Sequence, residues 1–244
     1  MMFSLKAHAL FQPAFVPLRT GKSAGQVGGS CMGDVYFKDR VDAGNQLAGK
    51  LEGKKYESPV VLALPRGGVV LGKVIARKLG CPLDLLITRK IGHPLSPEYA
   101  IGAVTVSGEA IFNEDEVIKI DKVWLENEKQ AQIVEARRRQ EVYLKGREQI
   151  DLKDKTAIIV DDGIATGLTM RAGIKEVKAK NPAKVVVAVP VAPADTYEMI
   201  KKEVDDFVAV SVPDYFLGAI GTYYSNFHQV TDEEVVKILK ETKS

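Results

Sequence analysis

The most informative part of the chain is the segment AIIVDDGIATGLTM, residues 157–170. Its first four residues are apolar and predict a buried strand, and Asp161 and Asp162 follow directly at the carboxyl end of that strand. In an open α/β sheet, ligands bind beyond the carboxyl ends of the strands. We therefore expect the two carboxylates to face a crevice that binds a ligand.

The small residues after the two acids predict a turn that leads into a helix. The N–H groups at a helix N-terminus, together with the hydroxyls of Thr166 and Thr169, suit a phosphate group. Gly163 and Gly167 let the backbone approach that group closely because they lack a Cβ. A ligand with a polyol beside a phosphate would use both halves of the segment. The alternative is that Asp-Asp-Gly is only a turn and a helix cap.

Short β-branched runs alternate with amphipathic segments over the rest of the chain from residue 34. This alternation predicts an α/β fold with an open, mostly parallel sheet that helices cover on both faces. We predict strands at residues 60–64, 84–88, 103–107, 157–160, 185–191 and 207–211, and helices at residues 68–79, 123–150, 167–180 and 194–204, besides one that begins after Asp39.

The same segment at residues 157–170 resembles the signature of the type I phosphoribosyltransferases, which bind 5-phosphoribosyl 1-pyrophosphate (PRPP). The order matches: four hydrophobic residues, Asp-Asp, Gly-Ile, Ala-Thr-Gly, any residue and Thr. The resemblance implies that Asp161 and Asp162 accept hydrogen bonds from the ribose 2- and 3-hydroxyls. It also implies that the 5-phosphate lies against Gly163, Ala165, Thr166, Gly167, Leu168 and Thr169.

Upstream, the segment LPRGGV, residues 64–69, lies between a predicted strand and a predicted helix. The family has a short diphosphate loop at this point, so the resemblance implies that Arg66, Gly67 and Gly68 contact the diphosphate of PRPP. Arg66 supplies positive charge, and the two glycines permit unusual backbone angles.

The Arg89-Lys90 pair follows the next predicted strand, at the same end of the sheet. Two interpretations stay open for it. The pair completes the diphosphate site, where electrostatic stabilisation of the departing group is the main catalytic contribution, or it is a solvated basic pair.

Pattern and order from Phe37 to Glu234 also resemble the "predicted phosphoribosyltransferase" branch of this superfamily. The matching segments are FKDR at residues 37–40 with Ala43-Gly44, LPRGGV at 64–69, SPEYAIG at 96–102 and QVTDEE at 229–234. The resemblance implies the type I phosphoribosyltransferase fold, with a small hood and a flexible loop. Members of this branch share no single acceptor, so the resemblance defines the donor better than the acceptor.

The sequence departs from the family where the hypoxanthine-guanine branch has a carboxylate that can act as general base. That position is Ala165. The adenine branch also has Ala there and draws a Glu from a mobile loop. Glu98, in the Pro- and Gly-containing stretch at residues 92–102, is the corresponding candidate base. The alternative is that Glu98 is a solvated residue of an exposed loop.

The acceptor pocket is expected in a hood at residues 212–228. The segments VPDYF, residues 212–216, and YYSNF, residues 223–227, contain five aromatic residues. A flat heterocycle can stack on such side chains, and we predict that Tyr215 and Phe216 bind the acceptor. Core packing is the alternative for each of these aromatics.

The chain has 244 residues with 34 basic and 32 acidic side chains, but the excess positive charge is confined to residues 1–33. That stretch holds three basic residues and no acidic one, and we predict a disordered extension before a phosphoribosyltransferase domain at residues 34–244. The extension is interpreted as an organellar transit peptide, a remnant of an expression vector, or a misplaced start before Met32. The expected location is cytoplasmic, or organellar under the transit interpretation.

Composition excludes several classes of protein. No apolar run is long enough to span a membrane, and the nearly neutral charge gives no nucleic-acid footprint. The two cysteines, Cys31 and Cys81, are far apart and predict neither a disulfide framework nor a zinc site.

With the resemblance, these patterns predict a magnesium-dependent enzyme that transfers the phosphoribosyl group of PRPP to a small-molecule acceptor, a nitrogen heterocycle. Magnesium would be held mainly by PRPP oxygens and water rather than by dedicated protein ligands. The alternative is a sensor or regulatory protein that binds PRPP or a nucleotide without turnover. A homodimer is expected by analogy with the fold.

Overall fold

The structure of the protein is a computed structural model and describes residues 37–242, so the expected extension at residues 1–33 lies outside the described residues. The helices are α1 Arg40–Glu52, α2 Gly67–Leu79, α3 Glu114–Val117, α4 Lys122–Leu144, α5 Leu168–Lys178, α6 Ala194–Lys201 and α7 Asp232–Glu241, with a 3-10 helix at Ile220–Tyr223. The strands are β1 Pro59–Ala63, β2 Leu83–Leu85, β3 Thr88–His93, β4 Ser96–Thr105, β5 Ala110–Phe112, β6 Thr156–Val160, β7 Lys184–Val191 and β8 Asp206–Ser211.

Five parallel strands form the main sheet, in the order β2-β1-β6-β7-β8. Successive side chains of a strand point to opposite faces of the sheet. Val61 and Ile158 pack on one face with residues of α1 and α2, whereas Leu62 and Ile159 pack on the other face with residues of α5. The predicted α/β fold, an open parallel sheet covered on both faces, is therefore confirmed.

A second sheet, antiparallel and in the order β3-β4-β5, follows β2 and differs from the prediction. The strand predicted at residues 84–88 is two strands, because β2 ends at Leu85 and β3 begins at Thr88. The stretch at residues 92–102, which we expected to be a lid loop, lies mostly in the hairpin of β3 and β4.

Burial explains why this hairpin forms in a stretch rich in Pro and Gly. Ile91, Ile101 and Val104 are buried and form a small core with Ile133 of α4. Alternating apolar positions do not mark these strands, because Ile91 is the one buried residue of β3 and β4 is buried continuously from Ile101 to Thr105.

The long helix that we predicted at residues 123–150 ends earlier, at Leu144. Lys145 and Gly146 have positive φ angles of 46° and 80°, and this left-handed pair ends the helix. No helix among residues 37–242 is long and apolar enough to cross a membrane.

The expected hood, residues 212–228, follows β8 and lies against the carboxyl end of β6. Its Tyr224 hydroxyl donates to the backbone carbonyl of Asp162 at 2.6 Å. Its Tyr223 carbonyl accepts a hydrogen bond from the backbone N–H of Phe37 at 2.8 Å. The start of the described chain and the hood therefore meet beside the acid pair.

Candidate active site

The loop between β1 and α2 lies directly beside the turn that follows β6. The two strands are neighbours, with Ala63 opposite Val160, and the Leu64 N–H donates to the Val160 carbonyl at 2.9 Å. The Pro65–Arg66 peptide bond in this loop is cis. Parallel pairing of β1 with β6 thus brings together the two segments that the sequence singled out.

Two glycines make this close approach possible. A Cβ on Gly67 would overlap Oδ2 of Asp162, and a Cβ on Gly68 would lie 2.7 Å from the Val160 carbonyl oxygen. Any larger residue at either position would push the loop away from the acid pair. The structure places Gly67 and Gly68 beside the acid pair, and their contact with a diphosphate stays a prediction.

The Asp162 side chain is held by a buried arginine from α1. Oδ2 of Asp162 accepts a hydrogen bond from Nε of Arg40 at 2.8 Å, and the Arg40 side chain is only 6% exposed. Arg40 also donates through Nη1 to the His228 carbonyl at 2.6 Å, and its guanidinium stacks 3.8 Å from the ring centre of Phe227. The backbone N–H of Asp162 donates to Oδ1 of Asp161 at 2.8 Å, and this hydrogen bond orients the Asp161 carboxylate.

Burial changes the ionisation of both carboxyl groups. Desolvation raises the pKa of Asp161 well above its ordinary value, and the negative charge of Asp162 raises it further. Burial also raises the pKa of Asp162, but the Arg40 guanidinium opposes that rise. We infer that Asp162 keeps its charge more readily and that Asp161 takes up a proton first.

The turn into α5 presents backbone N–H groups next to the acid pair. Gly167 caps the helix with a φ of 77°, and no side chain caps the first turn. The first N–H groups of a helix have no partner within the helix. Ala165 and Thr166 are exposed just before the helix, Leu168 is buried, and Thr169 is partly exposed in the first turn.

Side chains of the 3-10 helix and of α6 pack against this turn. A Cβ on Gly163 would lie 2.6 Å from the Ile220 side chain, and a Cβ on Gly167 would lie 3.0 Å from the Thr196 side chain. The Thr196 hydroxyl donates to the Ala165 carbonyl at 3.0 Å. Together these contacts hold the turn in place while Ala165 and Thr166 stay exposed.

Each of the three predicted basic residues has a polar or acidic partner. Nη1 of Arg66 lies 3.6 Å from Oδ1 of Asp232, at the start of α7. Arg89 donates through Nε to the Gln132 side chain at 3.0 Å, and Lys90 donates to Glu98 at 2.7 Å. Arg89 and Lys90 follow β2 of the main sheet along the chain, as expected, but they lie within β3 of the second sheet and not in a loop at the end of the main sheet.

Glu98 lies on β4, and its side chain is 95% exposed. Its hydrogen bond with Lys90 lowers its pKa, and the positive charge of Lys90 adds to this effect. Among residues 37–242, the Glu98 side chain contacts no other charged group. The structure does not bring Glu98 to the acid pair.

The aromatic residues of the hood divide into two groups. Tyr215 is 83% exposed. Phe216 is partly buried and stacks on Tyr223 at a centroid distance of 5.5 Å. Tyr223 and Tyr224 are buried in the main core, so the core-packing alternative is correct for these two.

Sequence reasoning missed Arg40 as a residue of the site, and it treated Tyr224 and Phe227 only as aromatics of the hood and not as contacts of Asp162 and Arg40. The signal for Arg40 was present in the FKDR segment at residues 37–40, which we used only to define the resemblance. Arg40 lies 122 positions from Asp162 in the sequence, so no local pattern could reveal their contact.

Comparisons with known proteins agree with this geometry. A family model described as phosphoribosyl transferase domain matches residues 37–225. A crystal structure of a protein from Thermus thermophilus is similar to this chain, with a TM-score of 0.72 and 42% sequence identity. The similarity covers 86% of this chain and 100% of that structure.

Two curated proteins of Mycobacterium tuberculosis, from strains CDC 1551 / Oshkosh and ATCC 25618 / H37Rv, are similar in sequence and are provisionally named phosphoribosyl transferases. Each is 41% identical over 205 residues, which is 83% of this chain and 46% of the relative. This chain therefore spans less than half the length of these relatives.

Proposed function

The chain belongs to the phosphoribosyl transferase domain family, and on that premise we propose that it transfers the phosphoribosyl group of PRPP to a nitrogen heterocycle. In this reaction the bond between the ribose C1 and the diphosphate oxygen breaks, and a bond from C1 to the acceptor nitrogen forms. The diphosphate leaves with the electron pair of the broken bond, and the proton of the acceptor nitrogen passes to water.

One observation carries the proposal. The glycine loop at residues 64–68, the partly buried acid pair and the exposed turn before α5 converge at the carboxyl ends of β1 and β6. These three features match the three charged or polar parts of PRPP, which are the diphosphate, the ribose hydroxyls and the 5-phosphate.

Asp161 and Asp162 would accept hydrogen bonds from the ribose hydroxyls, since carboxylates are strong acceptors. Arg40 favours the charged form of Asp162 and holds Oδ2 in place through the 2.8 Å hydrogen bond. The turn from Ala165 to Thr169 would bind the 5-phosphate through N–H groups and the Thr166 and Thr169 hydroxyls.

Magnesium would be held at this site mainly by oxygens of bound PRPP and by water. No group of three or more His, Cys, Asp or Glu side chains within the described range could hold a metal ion. PRPP oxygens and water would supply most ligands, with Asp161 and Asp162 nearby. The metal would neutralise charge on the departing diphosphate.

We assign no general base among the residues beside the acid pair. Position 165 is Ala, and Glu98 is exposed and paired with Lys90. Catalysis on this account rests on stabilising the departing diphosphate by Gly67, Gly68 and nearby positive charge. We further propose a cytoplasmic homodimer, by analogy with enzymes of this fold.

The test is to measure diphosphate release from PRPP and magnesium across a panel of nucleobases and related heterocycles, with the full chain. We expect release with at least one acceptor, and none from a variant with Asp161→Asn and Asp162→Asn. Tight PRPP binding with no release for any acceptor would instead support a sensor. Unchanged release by the double variant would show that the site is placed wrongly.

A further inference from the structure

A cavity of about 260 Å³ lies between the end of α4 and the last turns of α7. Three basic residues line it, Lys145, Arg147 and Lys240, and we call it the basic cavity. The rest of its lining in the described part of the chain is apolar, aromatic or Gly, and no lining residue is acidic. The basic cavity is therefore suited to an anion.

Arg147 carries a buried donor that has no acceptor. Its Nη2 donates to the Leu83 carbonyl at 2.9 Å, and this contact anchors the guanidinium on β2. Its Nη1 is buried and has no hydrogen-bond partner within residues 37–242, where every other buried side-chain N or O atom has one. A buried donor without a partner is unfavourable, and a ligand oxygen would supply the missing acceptor.

The two lysines of the basic cavity also lack acidic partners. Neither Lys145 nor Lys240 forms an ion pair within the described range. Two acids of α7 are engaged by other groups. Asp232 accepts the Tyr143 hydroxyl at 2.7 Å, and Glu241 accepts from Nζ of Lys73 at 2.6 Å.

The charge and the lining of the basic cavity indicate the class of ligand. Three cations favour a phosphate group over a single carboxylate, because a phosphate carries close to two negative charges and three strong acceptor oxygens. The apolar part of the lining favours a ligand with an apolar body. It consists of Leu144 and Leu239, which are buried, and Val236, which is partly buried.

We propose that Lys145, Arg147 and Lys240 bind the phosphate group of a small phosphate monoester, whose apolar part packs on the apolar lining of the basic cavity. Arg147 is anchored on β2, and β1 lies between β2 and β6 in the main sheet. The basic cavity is thus separate from the acid pair after β6. The inference goes beyond the proposed function and does not depend on it.

Helix ends give the two lysines a simpler role. Lys145 caps the C-terminus of α4, and Lys240 lies in the last turn of α7. Positive charge at these positions offsets the helix dipole without any ligand. That role does not account for the buried Nη1 of Arg147, and a binding experiment decides between the two.

The test is calorimetric titration of phenyl phosphate into the full chain. Lys145→Gln with Lys240→Gln removes two cations, and we expect this double variant to bind at least tenfold more weakly. The matched control is Lys119→Gln with Lys122→Gln, which changes two exposed lysines outside the cavity and should leave the affinity unchanged.

A third variant examines the buried donor. Arg147→Lys keeps the positive charge but removes Nη1, and we expect it to weaken binding of phenyl phosphate roughly tenfold. Melting temperatures show whether each variant folds. If Arg147→Lys fails to fold, the two double variants still decide the outcome, because they change exposed side chains.

Amide chemical shifts locate the bound phosphate, since the turn before α5 also suits a phosphate group. We expect phenyl phosphate to shift the Gly146 amide in the full chain and in the control, but not in Lys145→Gln with Lys240→Gln. Shifts at Gly167 with none at Gly146 would overturn the proposal.

Equal affinity of the two double variants would also overturn the proposal and leave the lysines with the helix-end role alone. If inorganic phosphate bound as tightly as phenyl phosphate, the apolar part of the proposed ligand would be wrong. Failure of the proposed function looks different, because it would abolish diphosphate release from PRPP and leave these titrations unchanged.

Discussion

Two regions of the molecule present carboxylates, and they do so in opposite environments. At the carboxyl end of β6, Asp162 is 16% exposed and is held by a buried arginine. On the β3–β4 hairpin, Glu98 is 95% exposed and is paired with Lys90 in solvent. The sequence suggested a role in chemistry for both.

The difference teaches that the surroundings of a carboxylate, rather than its presence, indicate chemistry. Burial raises the pKa of Asp161 and Asp162, and Arg40 opposes this effect for Asp162. Around Glu98, only the Lys90 pair lowers the pKa. Water screens such an exposed pair, whereas the buried pair can recognise a ligand strongly.

The largest expected effect comes from filling the space between the glycine loop and the acid pair. A Cβ from Gly67→Ala would overlap Asp162 Oδ2 and lie 3.0 Å from Arg40 Nε. We expect calorimetry to show PRPP binding weakened by roughly 100-fold or more, because two charged hydrogen bonds are disturbed. Gly49→Ala is the control, since its added Cβ meets nothing within 4 Å. If Gly67→Ala bound PRPP as tightly as the unchanged chain, the surroundings of the acid pair would not determine ligand binding, and the contrast with Glu98 would fail.

The next effect concerns the buried ion pair. Arg40→Gln leaves Asp162 without its cation, and we expect a loss of about 3 kcal/mol of stability in denaturant unfolding. Arg77→Gln, an exposed change on α2, should cost less than about 0.5 kcal/mol.

We also expect Arg40→Gln to shift the pH dependence of PRPP binding. Arg40 favours the charged form of Asp162, so its removal raises the pKa of Asp162 further. PRPP affinity depends on charged acceptors and falls as the pH falls through this pKa. The acid limb of binding should therefore move to higher pH in the variant, and an acid limb at the same pH would count against the role of Arg40.

The smallest effect is expected on the hairpin. Glu98→Gln removes an exposed carboxylate, and we expect no measurable change in melting temperature or in diphosphate release. A general base contributes about 100-fold or more to a rate. If diphosphate release fell by that factor in Glu98→Gln, the hairpin would take part in catalysis. The contrast between Glu98 and the acid pair would then be wrong.

The sequence predicted the parts of the site that lie in short segments. Asp161, Asp162 and the turn before α5 form one strand-turn-helix unit, and Gly67 lies in another. Parallel strand pairing then brings the two units together. Alternating strands and helices predicted this sheet correctly.

The remaining features depend on contacts between distant residues. Arg40 meets Asp162 only after the chain has folded, and Phe227 covers Arg40 from the other end of the domain. The second sheet was missed because the pairing of β3 with β4 is irregular at Gly92 and His93. Because β3 was not predicted, Arg89 was expected in a loop at the end of the main sheet.

The central claim is that the partly buried acid pair binds the ribose of PRPP. The most direct measurement is a calorimetric titration of PRPP with magnesium into the full chain, the variant with Asp161→Asn and Asp162→Asn, and a control with Glu114→Gln and Asp115→Asn. The control removes two exposed acids of α3. We predict that the full chain and the control bind PRPP alike and that the first variant binds roughly 100-fold more weakly. Equal affinity of all three proteins would contradict the account.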